Sequence, residues 1–419
     1  MNPSTSPRFE TLPPLALYVH VPWCVRKCPY CDFNSHEARG DVPGAAYVDA
    51  LLADLDHALP SIRGRAFVSV FIGGGTPSLL SAEAVERLLS GIRSRVALAP
   101  QAEVTLEANP GTFERERFAG YRAAGITRLS LGIQSFDARK LSALGRIHDG
   151  DEARAATAAA LTLFDEVNLD LMYALPEQTV AEAESDVATA LAFAPTHLSF
   201  YQLTLEPNTR FHRQPPSLPD DDAAADIEEI VHAALATAGY RRYETSAFAR
   251  PGHECRHNLN YWQFGDYLGI GAGAHSKLSI ADGSEIEAAA ASKPAGDADR
   301  DARTAAPSAP AHVHRIVRQV RYKQPAEYLR EAARGNPIQQ QADVMPDDIG
   351  FEFMLNALRL TEGVPVASFE QRTGYALSII QPELDRAIER GLLDPDTAWL
   401  RPTPLGRRFL NELQSLFLR

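Results

Sequence analysis

Apolar, β-branched stretches alternate with longer segments of helical periodicity from Leu15 to about Phe248. Strands are expected at residues 15–21, 66–72, 103–106, 128–133, 167–173 and 197–203, with a further strand-like stretch at 242–248. Between them the pattern predicts helices at 45–59, 81–96, 113–124, 138–144, 152–164, 180–193 and 222–238. Ser81 is suited to cap the second helix and Gly125 to stop the third. Strand–helix alternation at this spacing implies a parallel sheet with helical crossovers. About six units fall short of the eight that close a barrel. The expected fold is therefore α/β, a partial (β/α)6 TIM-like barrel over residues 15–250, preceded by a tail at 1–14.

Beyond residue 250 the alternation breaks. Residues 251–278 hold a His-Asn-x-x-Tyr segment and a Gly-rich segment, and 279–311 are rich in Ala, Asp, Ser and Pro with few large apolar residues. The latter reads as a disordered insertion, because it cannot bury enough apolar surface to offset chain entropy. A C-terminal domain is expected over 312–419, with helices at 351–360, 367–374, 382–390 and 405–417 and a short wing before the last. It looks small, helical and winged-helix-like. Residues 346–419 carry eleven acidic and eight basic side chains, the wrong balance for a phosphate binder.

Composition narrows the setting. The chain of 419 residues is 45% hydrophobic and 23% charged, with a net charge of −13. That balance speaks against a general nucleic-acid binder or an anionic-membrane binder. No apolar run reaches transmembrane length, and the N-terminus lacks the basic-then-apolar pattern of a signal peptide. With three of four cysteines clustered, metal ligation in a reducing compartment is expected, and the cytoplasm is the default.

The unusual residues fall at strand ends, where parallel α/β folds place their chemistry. Cys24, Cys28 and Cys31 form a C-x3-C-x2-C run after the first strand. A disulfide would strand one thiol. Three thiolates can hold three irons of a [4Fe–4S] cluster and leave one iron open; the alternative is zinc completed by His20, His36 or Cys255. Gly73, Gly74, Gly75 and Thr76 end the second strand. Glycines there let a ligand approach the backbone, or simply make a tight turn. Glu107 and Asp170 are placed to accept hydrogen bonds from ribose hydroxyls, Gln134 offers an amide, and Arg146 can clamp a carboxylate. Together they describe a pocket for an amino acid joined to a nucleoside. No catalytic residue is assigned.

The cysteine run, the Gly-Gly-Gly-Thr-Pro stretch and the alternation resemble the radical S-adenosylmethionine superfamily. Leu17-Tyr-Val-His-Val-Pro-Trp-Cys24, Leu131-Gly-Ile-Gln-Ser-Phe136, Asp170-Leu-Met-Tyr-Ala-Leu-Pro176 and Gly271-Ala-Gly-Ala-His-Ser276 narrow the resemblance to the oxygen-independent coproporphyrinogen III oxidase family. The resemblance implies that Cys24, Cys28 and Cys31 hold the cluster. It also implies that Tyr18, Gly73, Gly74, Thr76, Glu107, Gln134, Arg146 and Asp170 contact S-adenosylmethionine. One departure matters: the oxidase ends its motif Cys-x-Cys, whereas Cys31-Asp32-Phe33 puts a phenylalanine there. Cys-Asp-Phe-Asn-Ser-His resembles instead the haem chaperone branch. That branch carries His-Asn-x-x-Tyr, matched by His257, Asn258 and Tyr261. The branch implies haem as a third bound group, with His257 an axial ligand and Trp262 able to stack on the ring. Cys255 is open to three roles: haem ligand, cluster ligand or buried thiol. Arg241, Arg242, Arg250 and Arg256 are candidates for propionate neutralisation. The expected function is haem binding and transfer to an acceptor protein. Peripheral contact with membrane haem proteins and homodimerisation are compatible with it, and nucleic acid is not a partner. The alternative is radical oxidative decarboxylation of coproporphyrinogen III.

Overall fold

A computed structural model describes residues 7–62, 64–111, 114–280 and 314–419. One large sheet organises the chain. Its strands are β1 (Leu15–Val21), β2 (Phe67–Gly74), β3 (Leu98–Ala108), β4 (Arg128–Gln134), β5 (Glu166–Tyr173), β6 (His197–Gln202), β7 (Arg241–Arg242), β8 (Ala247–Ala249), β9 (Asp266–Ile270), β10 (His275–Ile280), β11 (Arg315–Arg321) and β12 (Ile338–Asp343). The spatial order is β12-β11-β10-β9-β1-β2-β3-β4-β5-β6-β8-β7. β9 and β1 through β6 run parallel; the flanking strands are antiparallel. The sheet is open, as a partial barrel requires.

The helices between strands form where the periodicity placed them. Ala82–Arg93 starts at Ser81, whose hydroxyl accepts from the Ala84 amide at 3.2 Å. Glu114–Ala124 ends at Gly125 with φ +105°, a conformation glycine adopts without strain. Val180–Phe193 begins with a capping box between Thr179 and Glu182. These helices cover the outer face of the sheet. There Leu17, Val19, Val70, Ile72, Leu106, Leu129, Leu131, Leu169, Leu171 and Leu198 join one core. The alternate residues on β3 to β6 turn inward, and most of them are polar.

Four strands escaped the periodicity: β9 to β12. β9 lies inside Gly-rich sequence and is buried along its whole length, so it shows no alternation. Residues 315–343, assigned from sequence to the C-terminal domain, hydrogen-bond into the large sheet instead. Ser279 and Ile280 complete β10; the rest of the expected insertion, 281–311, lies outside the described residues. The expected strand at 242–248 divides into β7 and β8, separated by a turn.

A second core lies at the C-terminal end. Helices Ile349–Ala357, Ala367–Thr373 and Gln381–Glu389 pack with a two-stranded sheet of Val364–Pro365 and Trp399–Leu400. The expected last helix is two, Pro404–Arg408 and Leu410–Ser415, broken at Phe409. This core draws in Phe264 and Ile316, with Leu259 and Trp262 packed against it, so the C-terminal unit is built onto the segment that follows the barrel.

Candidate functional site

The cysteine segment is held in place by backbone as much as by side chains. Trp23–Cys24 pairs with His36–Glu37, and the Cys31 amide donates to the Cys28 carbonyl at 3.2 Å. Asn34 ties the segment to the rest of the chain, its Nδ2 donating to the carbonyls of Ala272 and Lys323, each at 2.9 Å. Gly75 and Thr76 amides donate to Val21 and Trp23 carbonyls, both at 2.7 Å.

The glycine run serves this packing. A Cβ on Gly73 would stand 2.8 Å from Phe71 Cε1 and 3.1 Å from the Glu107 carboxyl. One on Gly74 would meet His20 Cε1 at 2.6 Å, and one on Gly75 the Trp23 carbonyl oxygen at 2.6 Å. On the side where a Cβ would point, the protein's own groups pack against the glycines and bring the cysteine segment down onto the end of β2, while Gly74 and Gly75 still line the cavity beside it.

All three cysteines are free thiols, and they line one cavity of about 360 Å³. Gly74, Thr76, Glu107, Gln134, Arg146 and Asp170 line it too. Arg146 Nη1 donates towards Cys28 Sγ at 3.7 Å, while its Nη2 donates to Asn109 Oδ1 at 2.6 Å and the Gly132 carbonyl at 2.7 Å. Its Nε has no hydrogen-bond partner among the described residues. Glu107 Oε2 accepts from the Gly74 amide at 3.0 Å. Asp170 accepts from Ser130 Oγ at 2.8 Å and Asn168 Nδ2 at 2.9 Å. Burial, and after it the nearby Asp170 charge, pushes the Glu107 carboxyl up to about 8. Burial also raises Asp170, against the pull of its hydrogen-bond donors. The Cys24 and Cys31 thiols are raised by burial, opposed for Cys24 by the Thr76 hydroxyl.

Tyr18 stands behind this wall. Its hydroxyl is 2.9 Å from His20 Nδ1 and its ring stacks on Phe71 at 6.2 Å. Gly73 likewise supports the wall without lining the cavity. Sequence reasoning passed over Asn109, which bridges Thr76 and Arg146, and Tyr201 at the end of β6. Asn109 follows Glu107 by two positions, a signal at the strand end, whereas Tyr201 lies within β6, where the sequence offers no such mark.

Among the described residues, no three His, Cys, Asp or Glu side chains converge tightly enough for one metal ion. His20, His36 and Cys255 do not line the cavity. Three thiols spread along a cavity wall suit a multi-iron cluster, whose ligands bind different irons. A polar pocket with acceptors and an arginine beside those thiols suits a zwitterionic cofactor. The residues present fit both groups.

The His-Asn-x-x-Tyr segment is placed elsewhere. It forms the helix Arg256–Trp262, which plugs the inner face of the sheet. Glu103 of β3 caps it, accepting from the Arg256 and His257 amides at 3.3 Å each. His257 is only 8% exposed; Nδ1 lies 3.1 Å from Ser69 Oγ and the ring packs on Phe71 at 4.9 Å. Burial pushes this imidazole down to about 4, so it is neutral. Tyr261 OH is 3.2 Å from Tyr267 OH. Arg359 lies over one face of the Trp262 ring at 4.4 Å. Cys255 is buried, its Sγ 3.3 Å from Glu103 Oε1. Three of the four arginines are engaged by other groups. Arg242 bonds the Thr245 carbonyl, Arg250 lies over Tyr240, and Arg256 reaches the Gln101 carbonyl.

Comparison with known proteins follows the same outline. The Radical SAM superfamily model matches residues 18–190, and the HemN C-terminal domain model matches 344–409. The chain is 47% identical over 408 residues to the heme chaperone HemW of Escherichia coli (strain K12), covering 97% of this chain and 99% of that one. The Haemophilus influenzae heme chaperone HemW is 46% identical over 412 residues, covering 97% and 98%. Among solved structures, the coproporphyrinogen III oxidase HemN of Escherichia coli superposes with TM-score 0.76 at 23% identity, covering 97% of this chain and 90% of that one. At that identity the likeness speaks for the fold.

Proposed function

Because the chain belongs to the haem chaperone HemW family within the radical SAM superfamily, we propose that it binds haem and hands it to acceptor proteins, on a scaffold carrying a [4Fe–4S] cluster and S-adenosylmethionine. The observation that carries the reading, beside the family, is the single cavity on which three free cysteines meet Thr76, Glu107, Gln134, Arg146 and Asp170.

In this reading Cys24, Cys28 and Cys31 each hold an iron. Arg146 keeps a permanent cation 3.7 Å from Cys28 Sγ, beside the negative charge that a cluster would carry there. When bound, the cluster supplies one-electron reduction and S-adenosylmethionine a cleavable sulfonium. Asp170, oriented by Ser130 and Asn168, accepts from ribose hydroxyls. Glu107 does the same or donates, according to its proton. Gln134, held at φ +68°, presents its amide at the bulged end of β4. Gly74 and Thr76 form the adjoining wall, with Tyr18 and Gly73 behind it.

His257 would hold the haem iron through its imidazole, with Asn258 and Tyr261 orienting the ring. The imidazole is buried, so haem reaches it only after the helix Arg256–Trp262 and its Glu103 cap separate. The acceptor is a haem protein, membrane haem proteins included through peripheral contact, and a homodimer is compatible with this arrangement. No helix of the described residues is long and apolar enough to cross a membrane. Thiols that must stay reduced to bind iron favour the cytoplasm.

The test is anaerobic reconstitution followed by haem titration, with coproporphyrinogen III added and 5′-deoxyadenosine followed in the same sample. Haem binding without porphyrinogen turnover is expected; conversion of coproporphyrinogen III without haem binding would overturn the reading. Cys24→Ser, Cys28→Ser or Cys31→Ser is expected to bring bound iron and the visible cluster absorbance to background, whereas Cys255→Ser leaves both unchanged.

A further inference from the structure

Below the cluster cavity, inside the partial barrel, lies a second cavity of about 200 Å³. Closed barrels fill this space with layers of branched apolar side chains. Here the inward positions of β3 to β6 are polar, and part of that polarity is settled internally. Asn168 Nδ2 donates to Ser130 Oγ at 2.8 Å, and His197 Nδ1 lies 2.6 Å from Asn168 Oδ1.

The remainder is unbalanced. Thr105 Oγ1, Arg128 Nη2, Trp262 Nε1, Arg359 Nε and Glu244 Oε2 all belong to residues lining this cavity, all are buried, and none has a hydrogen-bond partner among the described residues. Thr105, Arg128 and Glu244 are 0%, 2% and 3% exposed. Buried polar groups are almost always satisfied, so five unmet atoms around one space call for an occupant. Glu244 Oε2 and Arg359 Nη2 stand 3.5 Å apart and Arg128 Nη1 lies 3.4 Å from Glu166, so these charges are partly answered, while the Glu107 and Asp170 carboxyls that also line the cavity are pushed by burial towards their neutral form. The other unmet atoms are donors, two of them on guanidinium groups. The occupant must therefore be rich in acceptors and compact.

We propose that this cavity binds a carboxylate, either that of a free short-chain acid or that of a side arm on a larger ligand. A carboxylate has two oxygens with about four lone-pair sites, and guanidinium groups meet it with charge-assisted hydrogen bonds. The volume equals about seven waters at roughly 30 Å³ each, room for a three-carbon acid arm but not for a tetrapyrrole ring. One source rests on the haem reading above: haem carries two propionates, and Trp262, on the cavity wall, ends the helix that bears His257. The other source, a free acid, is independent of it.

The test uses the full chain with its cluster reconstituted anaerobically. Propionate and its neutral isostere propionamide are titrated at constant ionic strength, following thermal unfolding. Haem and haem dimethyl ester are titrated in parallel. Thr105→Val removes one unmet hydroxyl without changing shape, and Arg128→Met removes a guanidinium that also pairs with Glu103 at 3.7 Å. Stabilisation by propionate and not by propionamide, weakened about tenfold in Thr105→Val, identifies a free acid as occupant. Haem bound at least about tenfold tighter than its ester, with the difference lost in Thr105→Val, identifies a haem propionate. If Arg128→Met fails to fold, Thr105→Val alone decides. Absence of haem binding beside a propionate response sinks the haem reading and leaves the cavity assignment standing. The assignment is overturned if wild type distinguishes neither propionate from propionamide nor haem from its ester, in which case the space holds water only.

Discussion

Glu107 shows at a single residue how the site is held. Its Oε2 accepts from the Gly74 amide at 3.0 Å, yet burial, and then Asp170, pushes its pKa up to about 8. The folded state thus keeps a proton that the unfolded chain loses near 4.5. Stability contributed by this group is intact below the unfolded value and declines as pH rises through the interval to about 8, staying low above it. Glu107→Gln removes the ionisation. Its unfolding temperature, measured without ligands, should match wild type at pH 5 and exceed it at pH 8 by at least about 2 °C; the opposite ordering would mean that Glu107 is ionised when folded. The residue was visible in the sequence as an acid at a strand end. Its tie to Gly74 was not, because that contact joins two strands 33 positions apart.

At the scale of elements, two contacts decide behaviour. The first is the approach of the cysteine segment to the glycine end of β2. A Cβ on Gly75 would fall 2.6 Å from the Trp23 carbonyl oxygen, and backbone has little room to yield. Gly75→Ala is expected to lower stability by about 1–3 kcal/mol in chemical denaturation and to reduce bound iron. Wild-type denaturation with full iron would show that the segment can shift freely. The second is the helix Arg256–Trp262, capped by Glu103 and wedged against Ser69 and Phe71. If haem reaches His257 only after this helix opens, haem association followed by stopped flow should level off as haem concentration rises. His257→Ala should speed that step while weakening the final complex. A rate that stays linear in haem would place the ligand elsewhere.

For the whole molecule, the 12-stranded sheet joins regions that the sequence presents as separate. β10 and β11 pair directly across Ile280 and Arg315. A hairpin loop of about two to five residues can join strands in that register. Replacing residues 281–313 by such a turn should leave the unfolding temperature and the iron content as in wild type; a clear fall in either would assign the segment a structural role. The C-terminal core shares Phe264 and Ile316 with what precedes it, which ties the last helices to the segment bearing His257. Arg359, from the end of the first C-terminal helix, extends that tie into the cavity inside the barrel.

The sequence alone determined the alternation of strands and helices, the helix caps at Ser81 and Gly125, and the cluster of thiols with acids and an arginine at strand ends. These are local signals, set by periodicity, φ preference and the chemistry of neighbouring residues. The tertiary structure decided that β9 to β12 extend the sheet, since strands buried along their length or following a long break carry little periodicity. It also decided that the glycine run accommodates Phe71, His20 and Trp23, and that His257 faces inward under a Glu103 cap. Those outcomes depend on which distant side chains share a space, and spacing along the chain does not encode that. The polar interior of the barrel belongs to the same class: apart from Glu107, Asp170 and the segment 255–262, the polar residues that β3 to β6 and the loops at Glu244 and Arg359 contribute carry no mark in sequence, and only folding gathers them around one cavity.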